Sequence, residues 1–89
     1  MDVLIGAGGK FLLEAPQQVW RSKDEEDSLF VAVFAGKPMM IMEGGEDEQS
    51  GFELYYLDFK STKFSTKEAA KLAAPAFARA VLEHMIGLI

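Results

Sequence analysis

The sequence contains no cysteine and a single histidine, His84, among its 89 residues. Without cysteine the chain can form no disulfide bond and offers neither a thiolate ligand nor a thiol nucleophile. One histidine leaves almost no material for a Ser-His-Asp triad or a histidine-bound zinc ion. His84 lies near the carboxyl end of a predicted helix, where the helix dipole favours it, which is typical of a boundary residue. We therefore expect no enzymatic activity, no metal ion and no cofactor.

Long apolar runs are also missing. No segment approaches the 18 or so consecutive apolar residues that a membrane-spanning helix needs. The amino terminus, residues 1–6, lacks the basic stretch and sustained apolar run of a secretory signal. Together with the lack of cysteine, this predicts a cytoplasmic protein without a membrane partner. A hydrophobic content of 49% is too high for a disordered chain, and the length leaves room for one domain, 1–89.

Four strand-like segments occupy the first two thirds of the chain, because β-branched and aromatic residues there alternate with turn residues. The turn before the third strand is placed at 36–38 and a polar loop at 44–51. Short connections favour antiparallel neighbours. The sequence thus predicts an α+β fold, a four-stranded antiparallel meander followed by one C-terminal helix on one sheet face. The predicted strands are 10–21, bent at Pro16, then 29–35, 39–42 and 52–59.

Seven alanines between Ala69 and Ala80 strongly favour a helix. Ser65 and Glu68 have the spacing of a capping box, which places the helix start at Thr66, and Gly87 suits a left-handed C-cap. Pro75 removes one backbone donor and predicts a kink or split at that point. At 100° per residue one face of the helix is apolar and is expected to pack on the sheet; it comprises Ala70, Ala74, Phe77, Val81 and Met85.

Alternate residues of a strand point to opposite faces of the sheet. The middle strands carry apolar residues at both odd and even positions, so both sheet faces are apolar. Four strands of about six residues present roughly 380 Å² per face, and one helix about 31 Å long and 10 Å wide covers only one of them. An uncovered apolar face of that size usually marks an interaction site, and a second copy is the simplest partner. The alternative is that Val3, Leu4 and Ile5 fold over it. The predicted interface residues are Met39, Ile41, Tyr55, Leu57, Leu82 and Ile86.

Charge is segregated along the chain. Residues 24–53 hold nine acids and one base, whereas the rest holds five acids and eight bases. In a meander the first and third connections lie at one end of the sheet, so two acidic loops should converge there. The opposite end is expected to receive Lys37, Lys60, Lys63 and Lys67. The predicted partner-binding residues are Asp24, Glu25, Glu26, Asp27, Glu46, Asp47 and Glu48.

The glycine-rich segment and the acidic clusters resemble known binding motifs but lack residues that those motifs need. Residues 6–10, Gly-Ala-Gly-Gly-Lys, lack the glycine five residues before Gly9 and the Ser or Thr after Lys10 that a phosphate-binding loop needs. The acidic clusters lack the ligand spacing of an EF-hand. A turn and two solvated loops are the simpler interpretations.

These observations predict a non-catalytic, acidic protein-interaction domain that forms a homodimer. It would dock on a basic surface of a protein partner, since clustered acids attract basic surfaces and repel nucleic acid. One such partner is a nucleic-acid-handling enzyme that the domain inhibits. The alternative is a structural or chaperone-like subunit that uses the apolar face, with acidic loops only for solubility.

Overall fold

The computed structural model describes residues 1–23, 29–44 and 51–89. Over these ranges the chain has an α+β fold, in which an antiparallel sheet with its strands in chain order precedes a long C-terminal helix. This confirms the predicted fold class, to which a short fifth strand is added. The elements are α1 (Ala7–Glu14), β1 (Arg21–Ser22), β2 (Leu29–Phe34), β3 (Lys37–Gly44), β4 (Gly51–Tyr56), β5 (Phe59–Lys60) and α2 (Lys67–Ile86).

The β2–β3 hairpin forms the centre of the sheet and turns at Ala35 and Gly36, whose φ angles are 51° and 77°. Two left-handed residues give a turn whose twist matches that of the flanking strands. The predicted turn at 36–38 therefore lies one residue too late, and β3 begins at Lys37 because this turn needs only two residues.

The predicted fourth strand, 52–59, is two strands. Leu57 and Asp58 have φ angles of 50° and 68° and reverse the chain, so that β5 pairs back on β4. Aspartate tolerates a left-handed conformation, but leucine is not typical of one, and Leu57 is why the sequence suggested one continuous strand. After β5 the chain continues along β4, and Phe64 forms a bridge with Phe52.

The predicted first strand, 10–21, is wrong over most of its length. Its first half belongs to α1, which ends at Glu14, and only Arg21–Ser22 pairs as a strand with β2. Ala15 is extended, as expected for a residue that precedes proline. Gly8 and Gly9 lower the helix propensity of this segment, so propensity alone did not indicate α1.

The α2 helix packs on the sheet through small residues. Thr66 is its N-cap, and the Thr66 hydroxyl accepts a hydrogen bond from the Ala69 amide at 3.0 Å. The helix is assigned continuously across Pro75, and Gly87 is right-handed (φ −64°), so the predicted left-handed cap is wrong. The residues buried against the sheet are Ala70, Ala74, Ala78 and Val81. Phe77 is only partly buried and Met85 is exposed, because the shorter alanines bring the helix close to the strands.

The core lies between α2 and one face of the sheet. Its largest fully buried side chains are Met39, Ile41, Leu54 and Tyr56, on the two strands that α2 contacts most extensively. Because directly paired residues share a sheet face, the strand register decides which alternate residues lie under the helix. The residues of opposite parity lie on the other face.

Candidate interaction surface

The sheet face opposite α2 is apolar at its centre. Six apolar residues of this face on β2, β3 and β4 are hereafter called the uncovered face, namely Leu29, Val31, Val33, Met40, Met42 and Tyr55. The register places Pro38 and Glu53 on the same side of the sheet. The strand register aligns Val31, Met40 and Tyr55 in one row across the three strands. Arg21 precedes this row on β1 and Lys60 follows it on β5. The result is an apolar strip with one basic residue at each border.

The contrast between the two faces is sharpest on β3. Met39 and Ile41 are fully buried, whereas Met40 is 37% exposed and Met42 is 41% exposed. Methionine is flexible and polarisable, so an exposed pair of methionines can adapt to the shape of a partner. The other side chains of the uncovered face are half-buried by their neighbours in the sheet.

The predicted interface residues lie at several different places. Met39 and Ile41 belong to the core and cannot contact a partner, because their parity directs them toward α2. Leu57, in the β4–β5 turn, and Leu82, on α2, are half-buried against the core. Of the two remaining predicted residues, Tyr55 is half-buried on the uncovered face and Ile86, at the end of α2, is 67% exposed.

The amino-terminal residues do not cover this face. Val3 and Leu4 are 93% and 88% exposed, and Ile5 is also largely exposed. The α1 helix lies instead beside the β1–β2 border, where Phe11 and Glu14 line the wall of a groove with Val31 and Val33. Sequence reasoning missed this wall, although the run of apolar residues 11–13 before Pro16 was an available helix signal.

The α1 helix is attached at the β2–β3 turn. A Cβ atom added at Gly36 would lie 2.6 Å from Leu13 Cδ2, so the Leu13 side chain rests directly on the glycine backbone. Gln17 accepts a hydrogen bond from the Gly36 amide at 3.2 Å through Oε1. Its Nε2 donates to the Leu12 and Ala15 carbonyls at 3.1 and 2.9 Å. One glutamine thus ties the end of α1 to the sheet.

Few charged contacts border the uncovered face. Lys60 Nζ lies 3.5 Å from Glu53 Oε2, and the lysine side chain is 64% exposed. Water and salt screen the lysine end of this pair, whereas the Glu53 side chain is only 12% exposed. This border remains polar, as the rim of a protein interface usually is.

All seven predicted partner-binding acids lie outside the described residues, in 24–28 and 45–50. The residues that flank these two segments are described and lie at one end of the sheet. Lys23 donates to the Leu29 carbonyl at 2.9 Å beside the first segment, and Gly44 pairs with Gly51 beside the second. Leu29 and Met42 are register partners, which fixes both flanks at the same end.

Several lysines lie at this same end rather than at the opposite one. Lys63 contacts the Gly51 region, and the ammonium groups of Lys67 and Lys71 lie 4.7 and 4.8 Å from the centre of the Phe30 ring. The prediction of a basic opposite end is corrected for Lys63 and Lys67. The cause is the turn after β4, which returns the chain along that strand before α2 begins.

Within the described ranges no three histidine, aspartate or glutamate side chains cluster closely enough to hold a metal ion. Every buried side-chain nitrogen or oxygen in those ranges has a hydrogen-bond partner. No helix in the described part of the chain has the length and apolar character needed to cross a membrane.

Comparison of the chain with protein-family models, with curated protein sequences and with solved structures found no match in any of the three.

Proposed function

We propose that this chain is a non-catalytic protein-interaction domain that forms a homodimer through the uncovered face. The observation that carries the proposal is the division of β3 between two environments. Met39 and Ile41 are sealed under α2, while Met40 and Met42 on the same strand remain about two-fifths exposed. A partner sheet would remove these methionines from water.

The edges of the sheet favour a dimer in which two sheets pack face to face over one in which a partner strand pairs with an edge strand. β1 and β5, at the two borders of the sheet, are each two residues long. Very short edge strands offer few backbone hydrogen bonds to a partner, which is a common protection against edge-to-edge association. Two sheets packed face to face instead bury their apolar side chains.

The burial energy of the uncovered face indicates a weak dimer. Burying the exposed part of Met40 or Met42 contributes about 1 kcal/mol to association, and a twofold dimer buries two copies of each residue. The loss of translational and rotational freedom costs at least about 4 kcal/mol, so the four methionines alone only balance it. The remaining apolar residues of the uncovered face must supply the net affinity, and we expect dissociation in the micromolar range.

Sedimentation equilibrium at micromolar concentration tests the dimer. Met40→Glu places a charge in the centre of the strip and should give a monomer, because an unpaired carboxylate is costly to bury. Leu72→Glu is the matched control, since Leu72 is 84% exposed on α2, away from the uncovered face, and this variant should remain dimeric. A wild-type chain that sediments as a monomer throughout this range would contradict self-association and favour a subunit that binds a different protein.

A second candidate function is docking on a basic protein surface. The observation that favours it is the position of Lys23, Leu29, Gly44 and Gly51, which brings the attachment points of both acidic segments to one end of the sheet. Clustered negative charge raises the rate of encounter with a basic partner in a salt-dependent way. The phosphate-binding groove of a nucleic-acid-handling enzyme is one partner surface of this kind.

A further inference from the structure

The groove between α1 and the β1–β2 border has a composition suited to a small ligand. Its volume is about 640 Å³, within the range of ordinary ligand sites. α1 supplies Phe11 and Glu14 as one wall, and the segment that follows supplies Pro16 and Val19. The remaining lining comes from β1 and β2 and includes Arg21, Lys23, Val31 and Val33.

The apolar part of the groove is open to water. Phe11 is 78% exposed and Val19 is 46% exposed, although both line a concave surface. An apolar ligand body lying between them and Val31 would bury these side chains, which is favourable at about 25 cal/mol per Å² removed from water. The site therefore selects for a hydrophobic chain or ring.

The charged part of the groove is predominantly basic. Arg21 and Lys23 are both exposed, and neither forms an ion pair with another side chain in the described ranges. Among the lining residues that the structure describes, Glu14 is the one acid, so bases outnumber acids there by two to one. Arginine binds a carboxylate through two parallel hydrogen bonds, and a neighbouring lysine adds a second positive charge.

We propose that this groove binds a small amphipathic carboxylate, with its apolar body against Phe11, Val19 and Val31 and its carboxylate against Arg21 and Lys23. The inference goes beyond the proposed function, because it concerns a small molecule and requires no second protein chain. The groove borders the uncovered face and shares Val31 and Val33 with it, so a ligand here lies at the edge of the proposed dimer surface.

Isothermal titration calorimetry with three probes below their micelle concentrations tests the proposal. Decanoate has both features, acetate has only the carboxylate, and decyltrimethylammonium has the same chain with the opposite charge. Decanoate should bind at one site per chain, at least about tenfold more tightly than decyltrimethylammonium, since hydrogen bonds to charged groups contribute about 1.5–3 kcal/mol. It should also bind at least about tenfold more tightly than acetate, because acetate has no chain to bury against the apolar wall. Equal binding of the two decyl compounds, or no saturable binding of decanoate, would overturn the proposal.

Variants at exposed positions locate the site without threatening the fold. Arg21→Gln combined with Lys23→Gln should weaken decanoate binding at least about tenfold, and Phe11→Ala should also weaken it. Lys37→Gln is the matched control, because Lys37 is exposed but does not line the groove. This variant should bind decanoate with the same affinity as the wild type. Unchanged affinity in the double variant would contradict the assignment.

The same titration separates this inference from the proposed dimer. Met40→Glu removes dimerisation under the proposed function, while Met40 does not line the groove. Decanoate should therefore still bind the Met40→Glu chain at one site, weakened only in part by the added carboxylate, which lies in the same row as Arg21. Loss of binding in that variant would show that the ligand requires the dimer surface and would overturn an independent groove site.

Discussion

At the scale of single residues, Tyr56 links the core to the β2–β3 hairpin. Its side chain is 1% exposed, and its hydroxyl donates a hydrogen bond to the Phe34 carbonyl at 2.5 Å. The rings of Phe34 and Tyr56 also meet edge to face, with centroids 6.5 Å apart. A buried phenol in this position should contribute to stability only while it keeps its proton.

Burial raises the pKa of Tyr56 above its ordinary value of 10.0. The folded chain therefore retains this proton at pH values where the unfolded chain has lost it, so this group makes stability fall as pH rises above about 10 and gives it no pH dependence below that value. In urea unfolding at increasing pH, the wild type should lose stability more steeply above this point than Tyr56→Phe.

Tyr55→Phe is the matched control for this pH dependence, because Tyr55 lies on the uncovered face and the variant leaves Tyr56 intact. It should keep the steep loss of the wild type. Identical slopes for Tyr56→Phe and Tyr55→Phe would show that Tyr56 does not link stability to pH. Below pH 10, Tyr56→Phe should also be less stable than the wild type by about 1 kcal/mol, because the hydrogen bond to Phe34 is lost.

At the scale of elements, the first left-handed residue of each hairpin turn is of an unfavourable type. Ala35 precedes Gly36 in the β2–β3 turn, and Leu57 precedes Asp58 in the β4–β5 turn. A left-handed conformation costs an ordinary L-residue roughly 1–2 kcal/mol, whereas asparagine and glycine adopt it readily. The tertiary contacts of the flanking strands must therefore offset this cost.

Ala35→Asn should stabilise the protein, because it creates the Asn-Gly pair preferred in this turn and Ala35 is exposed. We expect the free energy of unfolding to rise by about 0.5–1 kcal/mol in urea denaturation. Ala35→Val is the contrasting variant and should lower stability, since a β-branched residue tolerates a positive φ poorly. If Asn and Val had the same effect, the turn conformation would not limit stability.

At the scale of the whole molecule, the charge distribution follows from the path of the chain. The attachment points of the acidic segments share one end of the sheet with Lys63, Lys67 and Lys71. The net charge of the chain is −5, and residues 24–53 carry nine of its fourteen acids. If the clustering of these acids attracts a basic partner, removing them should weaken binding more than removing the same number of acids elsewhere in the chain.

Neutralising four of these acids tests that point in the variant Glu25→Gln, Glu26→Gln, Asp47→Asn and Glu48→Gln. Binding to immobilised poly-L-lysine, measured by interferometry at low and at high salt, should fall sharply and lose most of its salt dependence. The control changes the same number of acids elsewhere, in Asp2→Asn, Glu14→Gln, Glu68→Gln and Glu83→Gln, and should bind nearly as well as the wild type. Equal losses in both variants would mean that only net charge matters.

The sequence by itself determined the central strands and the C-terminal helix. The Val, Phe and Met residues of 29–42 favour extended structure through their shape, and the alanines of 69–80 favour a helix with little loss of side-chain entropy. Both signals are local and strong, so they hold in almost any tertiary context. The meander order followed from the short connections between these elements.

Only the tertiary structure decided which apolar face is covered and where the remaining segments lie. Both parities of β3 are apolar, so hydrophobicity could not assign Met39 and Ile41 to the core rather than Met40 and Met42. That choice came from the register with β4 and from the fit of the small α2 residues. α1 likewise depends on distant contacts, since a short helix with two glycines is unstable alone and is held by Leu13 on Gly36 and by Gln17.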